Sequence, residues 1–449
     1  MATLTEILAA IVGAEHVSVD SDVLANRATD WTGRYRGTAS ALVRPGSADE
    51  VAAILRTCRD SGICVTVQGG RTSLVAGTVP EHEDVLLSTE RLTDVGAVDI
   101  VARRVRVGAG VTLAAVHEAA GANGLLFGVD LAARDSATIG GMVSTDAGGL
   151  HTVRYGTMGN QVLGLDVVLP DGSVIRRHSA VRADNTGYDL AALFVGAEGT
   201  LGVVTSVDLR LHPVPAHRVT ALCGFTDLES LVSAGRTFRE IDTIAALELI
   251  DGRAAALAGE HLGLPVPGHG NWLLLVELAA DDDQTVRLSD ALAAAPVGAE
   301  PAVGIDIATR QRLWQARESV ADVVGLYGPP VKFDVSLPFS SIASFEKEAA
   351  NLLRRYAPES IPVLFGHVGE GNLHLNVLRC TTEQESEIYP EMMKLIAAHG
   401  GNVSSEHGVG SRKRAYLAMS RTPEDIAAMR TIKDAFDPSG YLNPAVLFG

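Results

Sequence analysis

The stretch Asp135-Ser-Ala-Thr-Ile-Gly-Gly-Met-Val-Ser-Thr-Asp-Ala-Gly-Gly149 carries four glycines in fifteen residues, interleaved with small hydroxyl and acidic side chains. Such a composition lets backbone come close to another surface, and it decides how the surrounding sequence is read. After it come Arg154-Tyr155-Gly156 and a hairpin signal: Gly164–Leu169, the turn Pro170-Asp171-Gly172-Ser173, then Val174-Ile175-Arg176. Upstream, Ser47-Ala-Asp-Glu-Val opens a helix with a capping serine and early acids, running to about Asp60. The β-branched strand Val65-Thr66-Val67 then delivers into Gln68-Gly69-Gly70-Arg71-Thr72-Ser73, where backbone N–H groups can converge on an anion. A single Gly-Gly after a strand is more often only a turn; the second glycine-rich segment shifts the balance. A third, Gly196-Ala-Glu-Gly-Thr-Leu-Gly202, leads into the strand Val203–Leu211. No G-x-G-x-x-G opens a βαβ unit, so a nicotinamide site of the Rossmann kind is not supported.

The whole chain sets bounds on this reading. At 449 residues it is long for one core, which implies two or three domains. Hydrophobic residues at 47% with 20% charged residues describe a globular protein rather than a disordered one. The net charge of −17, without a basic stripe, argues against nucleic acid as a partner. The four cysteines show no C-x-x-C spacing, which argues against iron–sulfur and zinc–thiolate sites and gives no disulfide framework. With no signal-peptide pattern at the N-terminus and no apolar run of about 20 residues, a cytoplasmic location is expected.

A second constellation lies far downstream. Leu364-Phe-Gly-His-Val-Gly-Glu-Gly-Asn-Leu-His-Leu-Asn-Val377 has two apolar runs flanking a short glycine-rich loop, which predicts a tight hairpin. With Glu370-Gly371 as the loop, His367 would face His374 directly across the strands, Cβ atoms ~5 Å apart. Two adjacent imidazoles suit a divalent metal. Ser404-Ser405-Glu406-His407-Gly408 adds a carboxylate and a third imidazole. The residues therefore predict a metal held by His367, His374 and Glu406, zinc or manganese, with His407 beside it as acid and base. Asn372, at the turn, is a further polar contact for a substrate. Between the two constellations, Val219–Phe225, Trp272–Leu278 and Val331–Leu337 read as strands. The segments 228–241, 284–294, 305–324 and 341–355 read as helices. In Lys332-Phe-Asp-Val-Ser336, alternation puts Lys332, Asp334 and Ser336 on one face.

Five separated motifs in order, Gln68-Gly69-Gly70, Thr138-Ile-Gly-Gly, Arg154-Tyr155-Gly156, Glu198-Gly-Thr-Leu-Gly and Tyr441-Leu-Asn-Pro444, resemble the FAD-linked oxidases of the vanillyl-alcohol oxidase type over essentially residues 40–449. The resemblance implies an α+β fold: a two-subdomain, PCMH-type FAD-binding domain over 1–216, then an α+β cap with an antiparallel sheet over 217–400. A C-terminal helical segment, 401–449, would return to the FAD domain. By motif match Gly69, Gly70, Arg71, Thr72 and Ser73 would cradle the pyrophosphate. Ser136, Thr138, Gly140, Gly141, Ser144 and Thr145 would line the flavin, Val204 the adenine side, and Asn443 the ring region. Gln68, Asp135 and Gly199 complete the implied cofactor set. Neither loop offers the His or Cys through which some members anchor flavin, so the FAD is expected to be non-covalent.

Within the family the resemblance is closest to D-2-hydroxyacid dehydrogenases of the D-2-hydroxyglutarate, D-lactate and glycolate types. Their metal ligands match His367, His374 and Glu406, and their base matches His407. In the matching Arg-Glu-Ser and Lys-Phe-Asp-Val-Ser positions, Arg317 and Lys332 would bind substrate carboxylate. The chain departs in one place: it has Ala321 where the D-2-hydroxyglutarate enzymes carry a hydroxyl one turn after the arginine. The implied activity is oxidation of a small anionic D-2-hydroxy acid to a 2-oxo acid, hydride passing to flavin N5. Electrons would go on to an external acceptor: an electron-transfer flavoprotein, a quinone or a partner subunit. A homodimer is expected. The alternatives are a flavin subunit of a glycolate oxidase-type complex and a carbohydrate-oxidising or non-redox member of the same fold.

Overall fold

The computed structural model describes residues 2–178, 184–263, 270–298 and 300–448. The chain divides into two compact units. The first comprises the residues up to Gly148, Gly156–Val214 and the segment from Glu406 onward; the second comprises Gly149–Tyr155 and Pro215–Ser405. The short stretch containing Arg154 and Tyr155 thus belongs with the cap sequence.

The first unit holds two sheets. Strands β1 (Val17–Ser18), β2 (Ala39–Val43), β3 (Val65–Gln68) and β4 (Glu83–Ser88) are ordered β1-β2-β4-β3. The helix Ala48–Asp60 crosses between β2 and β3; Ser47 caps it by accepting from the Glu50 amide at 3.2 Å. Its Val51, Ile54, Leu55 and Cys58 recur at helical spacing and are buried against this sheet, so the apolar stripe fixes which face turns inward. Strands β3 and β4 are parallel neighbours, so segment 69–82 must travel back along the sheet, and that return carries Gly69–Ser73. The free edge of β3 is covered by the C-terminal segment: the Val65 amide donates to Tyr441 O (2.9 Å) and the Asn443 amide to Val65 O (2.8 Å).

The second sheet contains β5 (Arg104–Gly108), β6 (Leu125–Phe127), β7 (Val162–Val168), β8 (Val174–Arg177) and β9 (Val203–Pro213), in the order β5-β9-β7-β8 with β6 also on β9. The hairpin expected around Pro170–Ser173 is the β7–β8 pair. At its open end His178 bridges two carboxylates, Nε2 to Asp166 at 2.5 Å and Nδ1 to Asp208 at 2.7 Å, with Arg106 also on Asp166. The hydrogen bond to Asp208, then that to Asp166, outweigh burial and raise the His178 pKa. A raised folded-state value means the bridge stabilises fully below the unfolded histidine value of about 6.5 and is lost as pH climbs through the folded one. The melting-temperature gap between wild type and His178→Gln is therefore expected to be largest near pH 6 and to shrink toward pH 9. A gap that stays constant or grows over that range contradicts the bridge.

The cap unit is built on one antiparallel sheet of seven strands. These are β10 (His217–Phe225), β11 (Ile244–Asp251), β12 (Trp272–Ala280), β13 (Ala302–Gly304), β14 (Val331–Ser336), β15 (Ile361–Gly366) and β16 (Asn372–Leu378), in the order β13-β10-β12-β11-β15-β16-β14. The helix Ile307–Leu326 packs Leu313, Ala316, Val320 and Val324 against Leu222, Ile250 and Leu275. Arg154 ties Gly149–Tyr155 to this sheet, its Nη1 donating to Thr243 O (3.2 Å) and Ala279 O (2.6 Å). Among the described residues no helix is long and apolar enough to cross a membrane.

Candidate active site

The glycine-rich segments of the first unit meet one another. A side-chain carbon on Gly70 would lie 1.8 Å from Ser136 O, one on Gly69 2.5 Å from Thr138 Oγ1, and one on Gly140 2.6 Å from the Ala109 side chain. The first and second loops are pressed together so tightly that only glycine fits. Thr138 Oγ1 accepts from the Gly70 amide (3.1 Å), while Ser144 and Thr145 turn their hydroxyls back onto the carbonyls of Gly140 and Gly141. Ser136 leans on Ala133 O, Ser73 accepts from the Val75 amide, and Asp135 is exposed. Val204 is buried in the core of the second sheet. Thr72 lies in the segment between β3 and β4.

Asn443 is likewise fully engaged: Oδ1 accepts from the Val67 amide and Nδ2 donates to Glu198 O, both at 2.7 Å. Gly199 sits beside it with φ +70. Gln68 is different. Its Nε2 donates to Arg27 O and Thr78 O, but its buried Oε1 takes no hydrogen bond from the described residues. That orphaned acceptor, next in sequence to Gly69 and Gly70, fits a bound polar group such as FAD. Backbone strain clusters in the same segments: Arg71, Ala76, Asp146, Glu198 and Asn443 all have positive φ, a conformation costly for residues with side chains and typical of ligand clamps. The Glu198 carboxylate accepts from the amides of Val409 (2.9 Å) and Gly410 (2.8 Å), clamping the turn that follows Glu406-His407; burial pushes its pKa up against those two hydrogen bonds.

In the cap unit, the β15–β16 register differs from the sequence expectation. His374 is opposed by Phe365, not by His367. Val368–Glu370 form a 3₁₀ turn closed by Gly371 at φ +78, so the connection spans residues 367–371 and His367 stands at its entrance. The two imidazoles still meet, edge to face with centroids 5.4 Å apart and ligand nitrogens within 4.8 Å. Across β14 and β16, Lys332 opposes Asn376, Asp334 opposes His374 and Ser336 opposes Asn372, so one sheet face carries six polar side chains. Asn376 and Asn372 are both buried there, and burial holds the Lys332 ammonium below the usual lysine range. Asn376 was not singled out in the sequence, although its i+2 spacing from His374 placed it on that face. The next segment runs along β14: the Asn402 amide donates to Ser336 O (3.0 Å) and the Ser405 amide to Asp334 Oδ2 (2.9 Å). Glu406 and His407 follow directly in the chain.

On the same face, on β11, lies a group that sequence reasoning missed. Glu248 on β11 is 1% exposed; its Oε1 lies 2.7 Å from His367 Nδ1, and its Oε2 accepts from Arg317 Nε at 2.7 Å. Burial alone would raise the Glu248 carboxyl, but His367 and Arg317 together pull it below the usual glutamate range. The Arg317 guanidinium also stacks over Phe365, 4.8 Å from its centroid. The only hint in the sequence was a lone acid inside the apolar run Leu247-Glu248-Leu249-Ile250. With Nδ1 of His367 facing a carboxylate, its Nε2 is the nitrogen left to serve as a ligand, the usual arrangement behind a metal-binding histidine. Two imidazoles brought together on one sheet suit a divalent metal such as zinc or manganese.

With a strained glycine cradle in one unit and a histidine-bearing polar face in the other, the chain is an FAD-dependent oxidoreductase, as its family match and relatives show. The chain belongs to the FAD-linked oxidase family: residues 39–177 match its FAD binding domain and residues 214–447 its C-terminal domain. It is similar to the mitochondrial D-2-hydroxyglutarate dehydrogenase of Bos taurus, 34% identical over 439 residues, covering 95% of this chain and 80% of that protein. It is also similar to the D-2-hydroxyglutarate dehydrogenase of Xanthomonas citri pv. viticola, 35% identical over 436 residues, covering 93% and 91%. A crystal structure of p-cresol methylhydroxylase shares the fold, with a TM-score of 0.82 at 18% identity over 98% of this chain and 95% of that one.

Proposed function

We propose that the protein oxidises a D-2-hydroxy acid to the 2-oxo acid, with FAD held non-covalently and a divalent metal held by His367, His374 and Glu406. The observation that carries this is the buried His367–Glu248–Arg317 set beside the polar side chains of one sheet face, in a chain similar along most of its length to D-2-hydroxyglutarate dehydrogenases. When bound, FAD supplies the two-electron acceptor and the metal the Lewis acidity that makes a hydroxyl acidic near neutral pH. His407 takes the substrate hydroxyl proton on a ring nitrogen. Arg317, with Nε held by Glu248, presents its Nη groups to carboxylate, and Lys332 adds a second cation; together they orient C2. Electrons leave to an external acceptor, and the protein works as a homodimer.

The test is anaerobic flavin bleaching near 450 nm with D- and L-2-hydroxy acids. Bleaching by a D-acid is expected, lost with EDTA and restored by zinc or manganese. Flavin present but bleached by no D-acid excludes the proposal and favours a carbohydrate or non-redox role. Heat denaturation should release all the FAD into solution, because neither Gly69–Ser73 nor 135–149 contains His or Cys; flavin that stays with the precipitate means a covalent anchor.

Ala321 makes the choice between a monoacid such as D-lactate and the diacid D-2-hydroxyglutarate close. It stands one turn beyond Arg317 in the helix Ile307–Leu326, where the D-2-hydroxyglutarate enzymes that the chain resembles carry a hydroxyl. One hydrogen bond of about 1 kcal/mol corresponds to roughly fivefold. Ala321→Thr should raise kcat/KM for D-2-hydroxyglutarate relative to D-lactate by about that factor; an unchanged ratio removes position 321 from substrate choice.

A further inference from the structure

We infer that Glu248 is the positioning residue that couples the metal ligand His367 to the substrate-binding Arg317, an inference that rests on the metal reading above. The argument begins with hydrogen-bond polarity. A glutamate has acceptors only, and Glu248 spends one oxygen on each neighbour: Oε1 on His367 Nδ1 and Oε2 on Arg317 Nε, each at 2.7 Å. All three groups are buried: Glu248 at 1%, Arg317 at 5% and His367 at 6% exposure. Solvent therefore cannot substitute for either bond. An acceptor facing Nδ1 requires the proton on Nδ1, which leaves the lone pair of the neutral ring on Nε2. The same carboxylate fixes Arg317 through Nε and leaves the two terminal nitrogens to project elsewhere.

The backbone holds the arrangement in register. On β11 and β15, Leu249 pairs with Gly366, next in sequence to Glu248 and His367 respectively. Gly366 adopts φ +145, and a side chain there would strike the backbone of Asn372 and Leu373, so the strand ends in a bend that only glycine makes at low cost. The Arg317–Phe365 stack and the Phe365–His374 edge contact (centroids 5.4 Å) extend the same packing to the second imidazole. A shift of the Glu248 carboxylate thus moves a ligand nitrogen and a carboxylate-binding cation at once.

The Glu248→Gln variant separates this from bulk stability. An amide has one acceptor and one donor end, but both neighbours need an acceptor. If the oxygen stays on Arg317, the NH₂ faces Nδ1 and forces the proton onto Nε2, where it blocks metal. Measured by chelator competition on the FAD-loaded protein, zinc affinity is expected to fall about 10–100-fold, the range for outer-shell partners of metal-bound histidine. Wild type that binds zinc, with Glu248→Gln binding equally well, overturns the inference and leaves the metal reading intact. Wild type that binds neither zinc nor manganese overturns both. Should the variant fail to fold, ¹⁵N-histidine spectra of metal-free wild type decide: His367 is expected as the Nδ1–H form, and an Nε2–H form overturns the coupling.

Discussion

Replacing His407 with asparagine is expected to lower kcat by about 10²–10⁴-fold, the range attributed to a positioned general base, while FAD and metal contents stay at wild-type levels. The loss should fall on the chemical step because His407 is proposed to remove the hydroxyl proton, and asparagine cannot accept one near neutral pH. Its neighbours give reason to expect that the turn survives. Glu198 accepts from the amides of Val409 and Gly410, and these backbone contacts do not involve the imidazole. Gly408, at φ +82, keeps its own conformation. The measurement is the single-turnover rate of flavin bleaching under anaerobic conditions with saturating D-acid. A loss smaller than tenfold would move the base elsewhere, with Lys332 the next group to test.

Arg317→Met is expected to cost up to about 3–5 kcal/mol of cap-unit stability, because it removes the guanidinium partner of a buried carboxylate and leaves Glu248 only the contact with His367. The pair is deep: side-chain exposures are 6% for Arg317 and 1% for Glu248. Methionine keeps much of the volume over Phe365, so cavity formation adds little, and the stacking energy lost is small beside the loss of the ion pair. Urea unfolding of the variant and of the Arg317→Met/Glu248→Gln double variant checks this. Neutralising Glu248 should recover part of the stability even though activity stays lost. A double variant no more stable than the single one shows that the buried charge is not the cause.

Much of the fold was legible because its signals are local. Ser47 as a cap, the hairpin around Pro170–Ser173, the strands at 219–225 and 272–278 and the helices after 228 and 341 each follow from periodicity and punctuation within a few residues. The polar face was legible in part for the same reason: alternation in Lys332–Ser336 is a property of any strand. Other features were hidden because they depend on contacts far apart in sequence. The 3₁₀ turn at Val368–Glu370 changes the hairpin register by an amount that glycine content does not specify. Glu248 lies 119 residues before His367, and only the adjacency of β11 and β15 joins them. The glycines at 70 and 140 were seen, but their immediate cause, backbone against backbone, belongs to packing of two loops.

The route of the chain also bears on how the protein is made. The 215–405 stretch emerges from the ribosome in roughly 10–40 s at about 5–20 residues per second, and it contains every strand of the cap sheet. The sheet that begins at Val17 has to wait longer. Its edge strand stays uncovered until Tyr441–Asn443 have been translated, and the Glu198 clamp has nothing to hold until Val409 and Gly410 exist. The earlier-synthesised part of the cofactor unit is thus completed last, and FAD capture becomes a late event in biogenesis.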